Sequence, residues 1–120
     1  MEIQSIQQGS QEIAAIYSPT PIIIDLQTGL DVLTNAQYRY SNSIVINKEA
    51  FSEDFFSLKT GIAGDVLQKC VTYHIQLAIY GDFAPYTSKA LRDFMRESNR
   101  GPHVFFATSK EEAVNHLFER

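Results

Sequence analysis

The sequence predicts an α/β domain built on a single, mostly parallel mixed sheet, with the element order β-β-β-α-β-α-β-α-β-α. Two observations carry this prediction. Short apolar runs rich in β-branched residues alternate with longer segments in which apolar residues recur every three or four positions. Clusters of Gly, Pro, Asn, Asp and Ser separate these runs. The length of 120 residues suits one domain, so residues 1–120 are expected to fold as a single unit.

The first strands follow from alternation and from turn residues. Residues 2–8 and 12–17 are predicted to pair as a hairpin around a Gly-Ser turn. Residues 18–21 must be a connection, because their two prolines lack the N–H group that a central strand needs. Residues 22–24 are three consecutive isoleucines, which predict a third strand buried on both faces.

Helices and strands then alternate to the end of the chain. Thr28 and Asp31 have the spacing of a capping box and are predicted to open the first helix. The remaining elements are predicted as a strand at 43–46, a helix from Leu58 to Cys70, a strand at 77–80, a helix at 88–98, a strand at 104–107 and a helix opened by Ser109. One residue from each of four apolar strands is predicted to be buried: Ile23, Ile46, Ile79 and Phe105.

The charge of the chain argues against a nucleic-acid partner. The formal net charge is −4, whereas nonspecific binding to nucleic acid needs a basic surface, so no nucleic-acid partner is expected. One segment does contain several basic residues, but acidic residues interleave with them as on a solvated helix face. These basic residues are Lys89, Arg92, Arg96 and Arg100, and the acidic ones are Asp93 and Glu97.

Cysteine usage and hydropathy indicate the compartment. Cys70 is the only cysteine, which excludes a disulfide within the chain and suits a reducing environment. No apolar run approaches the roughly 18 residues that span a bilayer, and the first residues lack the basic and apolar parts of a signal peptide. We therefore expect a cytoplasmic protein without a membrane span.

The stretch FFSLKTGIAGDVLQK, residues 55–69, carries the clearest hint of a site. It places two glycines at the start of an apolar-faced helix, where each costs about 1 kcal/mol relative to alanine. This arrangement predicts close approach by backbone, a partner or a ligand. The residues concerned are Lys59, Thr60, Gly61 and Gly64.

Three segments carry a resemblance to a known family. FFSLKTGIAGDVLQK, LAIYGDFAPYTSKALRDFMRESNRG and the earlier NAQY resemble a bacterial family catalogued as domain of unknown function 4180. The likeness covers nearly the whole chain, and it names a family without naming a function. The order of elements, with three strands before the first helix, is also similar to the sulfate-transporter and anti-sigma-factor-antagonist (STAS) domain and to SpoIIAA-like proteins.

The STAS resemblance implies a regulatory switch. In that family a Ser or Thr at the start of a helix, followed by Gly, is phosphorylated to control a partner interaction. Thr60 with Gly61 is the closest match in this chain, and Ser57 is the second candidate phosphoacceptor. The chain differs from the pattern in its longer connection, residues 47–59, and in lacking an aspartate directly before Thr60.

Polar residues at the ends of the predicted strands suggest a different site. The carboxyl ends of parallel strands gather at one edge of a sheet, where ligands usually bind. The residues that follow the predicted strands are Asp25, Asn47, Asp82 and Thr108. Basic and hydroxyl side chains nearby are Lys59, Thr60, Lys89 and Arg92. Such a set suits an anion or a polar small molecule, although turn and helix-cap roles are what aspartate most often has after a strand, and these are the favoured roles for Asp25 and Asp82.

No catalytic, metal or cofactor motif is found. His74, His103 and His116 share no metal-ligand spacing with Cys70 or with a carboxylate, and the glycines match neither nucleotide-binding pattern. Cys70 lies on the apolar face of its helix, which predicts an inert core residue. We therefore predict no catalytic residues, no metal ligands and no cofactor.

Five aromatic residues are expected on the same edge of the sheet: Phe51, Phe55, Phe56, Phe83 and Tyr86. If they are exposed they indicate a binding surface, because large apolar patches rarely lack a role. If they are buried they close the core.

Two functions remain open from the sequence. The leading hypothesis is a non-enzymatic cytoplasmic regulatory or interaction domain, whose face from Phe55 to Gly64 contacts a protein partner or a second copy in a homodimer. The alternative is a small-molecule or lipid-like ligand binder, or an enzyme, that uses the strand ends, with Asp82 and Lys59 as the first residues to test. A pocket of about 300 Å³ or more at that edge favours the alternative.

Overall fold

The computed structural model describes residues 1–119 of the chain. Within these residues the strands are β1 (Glu2–Gln8), β2 (Gln11–Tyr17), β3 (Ser43–Asn47), β4 (Gln76–Tyr80) and β5 (Val104–Ala107). The α-helices are α1 (Leu26–Arg39), α2 (Ile62–Tyr73), α3 (Lys89–Arg100) and α4 (Lys110–Phe118).

The five strands form one mixed sheet in the order β1-β2-β3-β4-β5. β1 and β2 pair antiparallel as a hairpin, and each later neighbour pairs parallel. The predicted α/β class and the single, mostly parallel sheet are therefore confirmed.

The helices divide between the two faces of the sheet. Each parallel crossover steps one strand in the same direction, so right-handed crossovers place α1, α2 and α3 on the same face. The strand side chains beneath them, which define the α1–α3 face, are Ala14, Ile16, Ile44, Ile46, Leu77, Ile79, Val104 and Phe106. Helix α4 follows the last strand and covers the opposite face, the α4 face, whose strand side chains are Ile13, Ala15, Val45, Ala78, Phe105 and Ala107.

The predicted third strand at residues 22–24 is wrong. Ile23 forms a single parallel bridge with Phe51, and Ile22 and Ile23 both donate their N–H groups to the Ala50 carbonyl oxygen. Ile24 is 51% exposed. The prolines before this run and the helix directly after it leave room for one bridge only, so two strands precede α1 instead of three.

Two further predictions need correction. The N-cap of α1 is Asp25, whose carboxylate accepts a hydrogen bond from the Thr28 N–H, while the Thr28 hydroxyl accepts one from the Asp25 N–H. The capping box thus begins three residues before the predicted Thr28–Asp31 pair. Phe105 is only partly buried, because it lies on the edge strand β5; its ring stacks on His116 of α4 at a ring distance of 3.6 Å. Ile23, Ile46 and Ile79 are fully buried, as predicted.

Candidate functional site

A crevice opens at the carboxyl ends of β4 and β5. The connection after β4 leads to α3 on the α1–α3 face, whereas the connection after β5 leads to α4 on the opposite face. Two neighbouring strands whose connections diverge in this way leave a gap, which is where open α/β sheets bind ligands. The crevice has a volume of about 580 Å³. Its lining residues are Gly81, Asp82, Phe83, Ala84, Tyr86, Arg92, Met95, Arg96 and Thr108.

Two arginines from α3 give the crevice a cationic wall. Arg96 donates a hydrogen bond of 2.9 Å to Asp93 on the same helix. The Arg92 side chain is exposed and forms no hydrogen bond or ion pair with any other residue in the part of the chain that the structure describes. Its guanidinium donors are therefore available to an anion.

The crevice also has an apolar lining. Phe83 is partly buried and packs edge-on against the Phe106 ring, with the ring centres 5.6 Å apart. Met95 is also partly buried and follows Arg92 by three positions, so both side chains lie on one side of α3. An aromatic surface beside guanidinium groups suits a ligand that combines an anionic group with an apolar body.

Asp82 and Thr108 offer a ligand fewer free polar groups than the sequence suggested. The Asp82 carboxylate accepts a hydrogen bond from the Ala84 N–H, which is the turn role considered for it above. Thr108 donates both its N–H and its hydroxyl to Glu112 of α4. Their polar groups therefore shape the two diverging connections.

Gly81 is required by close packing at the base of the crevice. A Cβ atom at this position would lie 2.6 Å from Cβ of Lys48. The Lys48 ammonium group donates a 2.7 Å hydrogen bond to the Asp82 carbonyl oxygen. These contacts fix the start of the β4–α3 connection against the end of β3.

Tyr86 holds the far end of the same connection. Its ring stacks on Phe56 at 4.9 Å, the Lys48 ammonium lies 4.8 Å from the ring centre, and its hydroxyl donates to Glu53 at 3.3 Å. Burial, followed by the negative charge of Glu53, raises the pKa of Tyr86 to about 12. The phenol is therefore a neutral anchor at physiological pH.

The segment between β3 and α2 is a packing element. It forms three short 3₁₀ turns, at Lys48–Ala50, Glu53–Phe56 and Leu58–Thr60. Phe55 and Phe56 are 2% and 5% exposed, and their ring centres lie 5.0 Å apart. The aromatic residues predicted at this edge therefore belong mainly to the core.

Thr60 precedes the helix that was predicted to contain it. Helix α2 begins at Ile62, and Thr60 is exposed in the last 3₁₀ turn. Its hydroxyl donates to the carbonyl oxygens of Asp54 and Ser57 at 2.7 and 2.9 Å. The hydroxyl is accessible and close to a helix start, but it already stabilises the turn. Phosphorylation of Thr60 or Ser57 stays a prediction.

The two glycines of this stretch do not mediate a close helix contact. Gly61 has φ +80°, a left-handed conformation that favours glycine. A Cβ on Gly64 would meet nothing within 4 Å. Close packing occurs instead at Gly29 of α1, where a Cβ would lie 3.4 Å from a methyl group of Val66 on α2. The predicted close approach by other parts of the chain at Gly61 and Gly64 is therefore wrong, and close approach by a partner or a ligand stays a prediction.

The remaining candidates are dispersed. Lys59, with Ser57 and Ser88, lines a second depression of about 520 Å³ on the other side of Tyr86. Lys89 is exposed and paired with Asp93 at 2.7 Å. Asn47 is buried, where it bonds the backbone N–H and carbonyl of Ser18. Asn47 therefore joins β2 to β3 and is not available to a ligand.

Within residues 1–119, no three His, Cys, Asp or Glu side chains gather as a metal-binding group. Cys70 is fully buried, and burial raises the pKa of its thiol to about 12. Because the thiolate is the reactive form, this side chain is inert in the folded protein.

Comparison with known proteins identifies the family. The family model described as domain of unknown function (DUF4180) matches residues 8–117, so the chain belongs to this family. No curated protein matches the sequence. Among the described residues, no helix combines the length and the apolar character needed to cross a bilayer.

Sequence reasoning missed Met95 and Arg96 as lining residues of the crevice. The available signal was their spacing from Arg92, since residues three and four positions apart share a helix face.

Proposed function

We propose that this protein is a non-enzymatic cytoplasmic regulatory domain that binds a small anionic molecule in the crevice between β4 and β5. The observation that supports the proposal most strongly is the position of the crevice, at the point where neighbouring strand connections diverge to opposite faces. Its volume of about 580 Å³ lies within the usual range for ligand sites, which is roughly 300 to 1,000 Å³.

The chemistry of the walls selects the class of ligand. Arg92 offers an unpaired guanidinium, and Phe83 offers a ring surface. Arginine binds carboxylates and phosphates through two parallel hydrogen bonds. A flat carboxylate or phosphate monoester with an apolar body would contact both the guanidinium and the ring.

The ionisable groups of the crevice are suited to binding a ligand and not to acid–base catalysis. Arginine does not exchange protons near neutral pH, and the Asp82 carboxylate holds a turn. General acid–base catalysis needs a group that titrates near the working pH. The crevice is therefore proposed to sense a ligand and leave it unchanged.

The test is a thermal-shift screen with aromatic carboxylates and phosphate monoesters, such as benzoate and phenyl phosphate. A ligand of this site raises the melting temperature of the wild type. The Arg92→Ala variant should weaken its binding about tenfold, because a charge-assisted pair is lost. Arg100→Ala is the matched control, because Arg100 lies on the same helix, pairs with Glu97 and does not line the crevice. Equal loss in both variants, or no binder in the panel, would count against the proposal.

A further inference from the structure

The two edge strands of the sheet, β1 and β5, differ in whether their outward backbone groups have hydrogen-bond partners. At the β5 edge, the Asn99 side chain of α3 accepts a 2.7 Å hydrogen bond from the Phe106 N–H and donates one of 3.2 Å to the Phe106 carbonyl oxygen. This amide occupies the N–H and C=O groups of Phe106, to which another strand would bind. A side chain of the same chain therefore blocks strand addition at this position of the β5 edge.

The β1 edge has no comparable protection. β1 pairs one-to-one with β2 over seven residues, from Glu2 to Gln8, so it contains no bulge. Its sequence EIQSIQQ contains neither lysine nor proline, and Glu2 at its first position is its only charged residue. Edge strands usually avoid association through lysine, proline, bulges or short length, and β1 has none of these devices.

The hairpin turn determines which backbone groups of β1 face outward. Gly9 and Ser10 form a two-residue turn, with φ +61° at Gly9, so Gln8 and Gln11 are the first hydrogen-bonded pair. Because hydrogen-bonded and non-hydrogen-bonded pairs alternate, alternate residues of β1 direct their N–H and C=O groups away from β2. These outward residues are Ile3, Ser5 and Gln7, and within the described chain their outward backbone groups have no partner.

We propose that β1 pairs antiparallel with β1 of a second copy, with Ser5 opposite Ser5 on a two-fold axis. This register also places Ile3 opposite Gln7 of the other copy, so all three outward residues of each strand take part. It yields six backbone hydrogen bonds, since each hydrogen-bonded pair supplies two. Antiparallel pairing of identical strands is self-complementary, as a two-fold interface requires.

Side chains are compatible with this register. Glu2 lies opposite Gln8 of the second copy, so no like charges face each other across the pair. Shifting the register by two residues would leave one outward residue of each strand unpaired. Shifting it by one residue would place side chains of the α1–α3 face opposite those of the α4 face. The resulting sheet has ten strands, with both protected β5 edges outermost.

The area of such a pairing is small, so the dimer should be weak and depend on concentration. Sedimentation equilibrium of the full chain between about 10 μM and 1 mM should show the mass rising from 13.6 kDa toward twice that value. A constant monomer mass over this range would overturn the proposal.

Two cysteine variants test the register. Ser5→Cys should form a disulfide-linked dimer on mild oxidation, because directly paired residues have Cα atoms about 5.5 Å apart. Gln7→Cys is the matched control: it also faces outward, but its two copies would lie about 14 Å apart along the strands, too far for a disulfide. The native Cys70 is buried and does not interfere. Equal cross-linking of the two variants would contradict the register.

A charge variant tests the edge without relying on oxidation. Ser5→Lys places two ammonium groups opposite each other in the dimer, yet within one chain it lies beside Glu12, the present partner of the Ser5 hydroxyl. We expect an unchanged melting temperature for the monomer and a dissociation constant raised about fivefold. Gln11→Lys adds the same charge on β2, away from the outer edge, and should leave the dissociation constant unchanged. Equal effects of the two lysines would overturn the proposal.

Discussion

The connections that follow β3 and β4 are similar in composition but differ in role. Residues 48–61 and 81–88 both combine aromatic, acidic and glycine residues, and both begin at the same edge of the sheet. The first buries Phe55 and Phe56 in the core, whereas the second leaves Phe83 and Tyr86 partly exposed beside a crevice. The aromatic residues alone therefore do not distinguish a packing segment from a binding segment.

The difference arises from the neighbouring connection. On both sides of residues 48–61, the adjacent connections lead to helices of the α1–α3 face, and these close over the segment. Residues 81–88 lie next to the connection that leads to α4 on the other face. The direction of that last connection opens the crevice and makes its side chains available to a ligand.

The largest expected contrast concerns the aromatic rings. Phe55→Ala should lower the free energy of unfolding by about 3 to 5 kcal/mol, because it leaves a cavity in the core. Phe83→Ala should cost roughly 1 kcal/mol, because this ring is partly exposed. Urea unfolding of both variants measures the two losses. Similar losses would show that the two connections do not differ as described.

A second contrast concerns Gly81 of the β4–α3 connection and Gly64 in the first turn of α2, just after the β3–α2 connection. Gly81→Ala should destabilise the protein by about 1 to 3 kcal/mol, since its Cβ would overlap Lys48. Gly64→Ala should stabilise it by up to about 1 kcal/mol, because the site is helical and open. Thermal melts compare the two variants. A destabilising Gly64→Ala would indicate a contact that the structure does not show.

The contact between the two connections should depend on pH. Burial and the negative charge of Glu53 raise the folded-state pKa of Tyr86 from its ordinary value of 10.0 to about 12. The stability linked to this phenol is therefore fully present below pH 10 and is lost as the pH rises toward 12, because the unfolded chain releases the proton first. Wild type should lose stability more steeply over this range than Tyr86→Phe. Parallel pH profiles would argue against burial of the hydroxyl beside Glu53.

Much of the fold could be predicted because its signals are local. The period of apolar residues identified the helices and the four parallel strands, and the Gly-Ser turn identified the hairpin. The isoleucines at 22–24 show where local signals are insufficient. The apolar side chain of Ile23 predicts its burial, but whether this run forms a strand depends on its pairing with Ala50 and Phe51, which are distant in sequence. The α1 cap was misplaced because Asp25–Thr28 and Thr28–Asp31 have the same spacing.

The sequence predicted the approximate location of the site, but not which two strands form the crevice. Asp82, Arg92 and Thr108 were placed correctly at the carboxyl ends of the strands. Which pair of strands forms the crevice depends on the face that α4 covers, and the short link through Ser109 carries no local signal for that choice. Of the contact face predicted from Phe55 to Gly64, Phe55 and Phe56 are buried, whereas Lys59 and Thr60 are exposed, so a partner contact there stays a prediction.

Ligand mapping by NMR most directly tests whether the crevice between β4 and β5 binds an anionic ligand. The ¹H–¹⁵N spectrum of the full chain is recorded during titration with phenyl phosphate and with benzoate, for wild type and for Arg92→Ala. We expect shifts concentrated at residues 81–84, 92–96 and 108 in the wild type, and their loss in Arg92→Ala. Shifts confined to residues 53–60, or an identical response in Arg92→Ala, would contradict it.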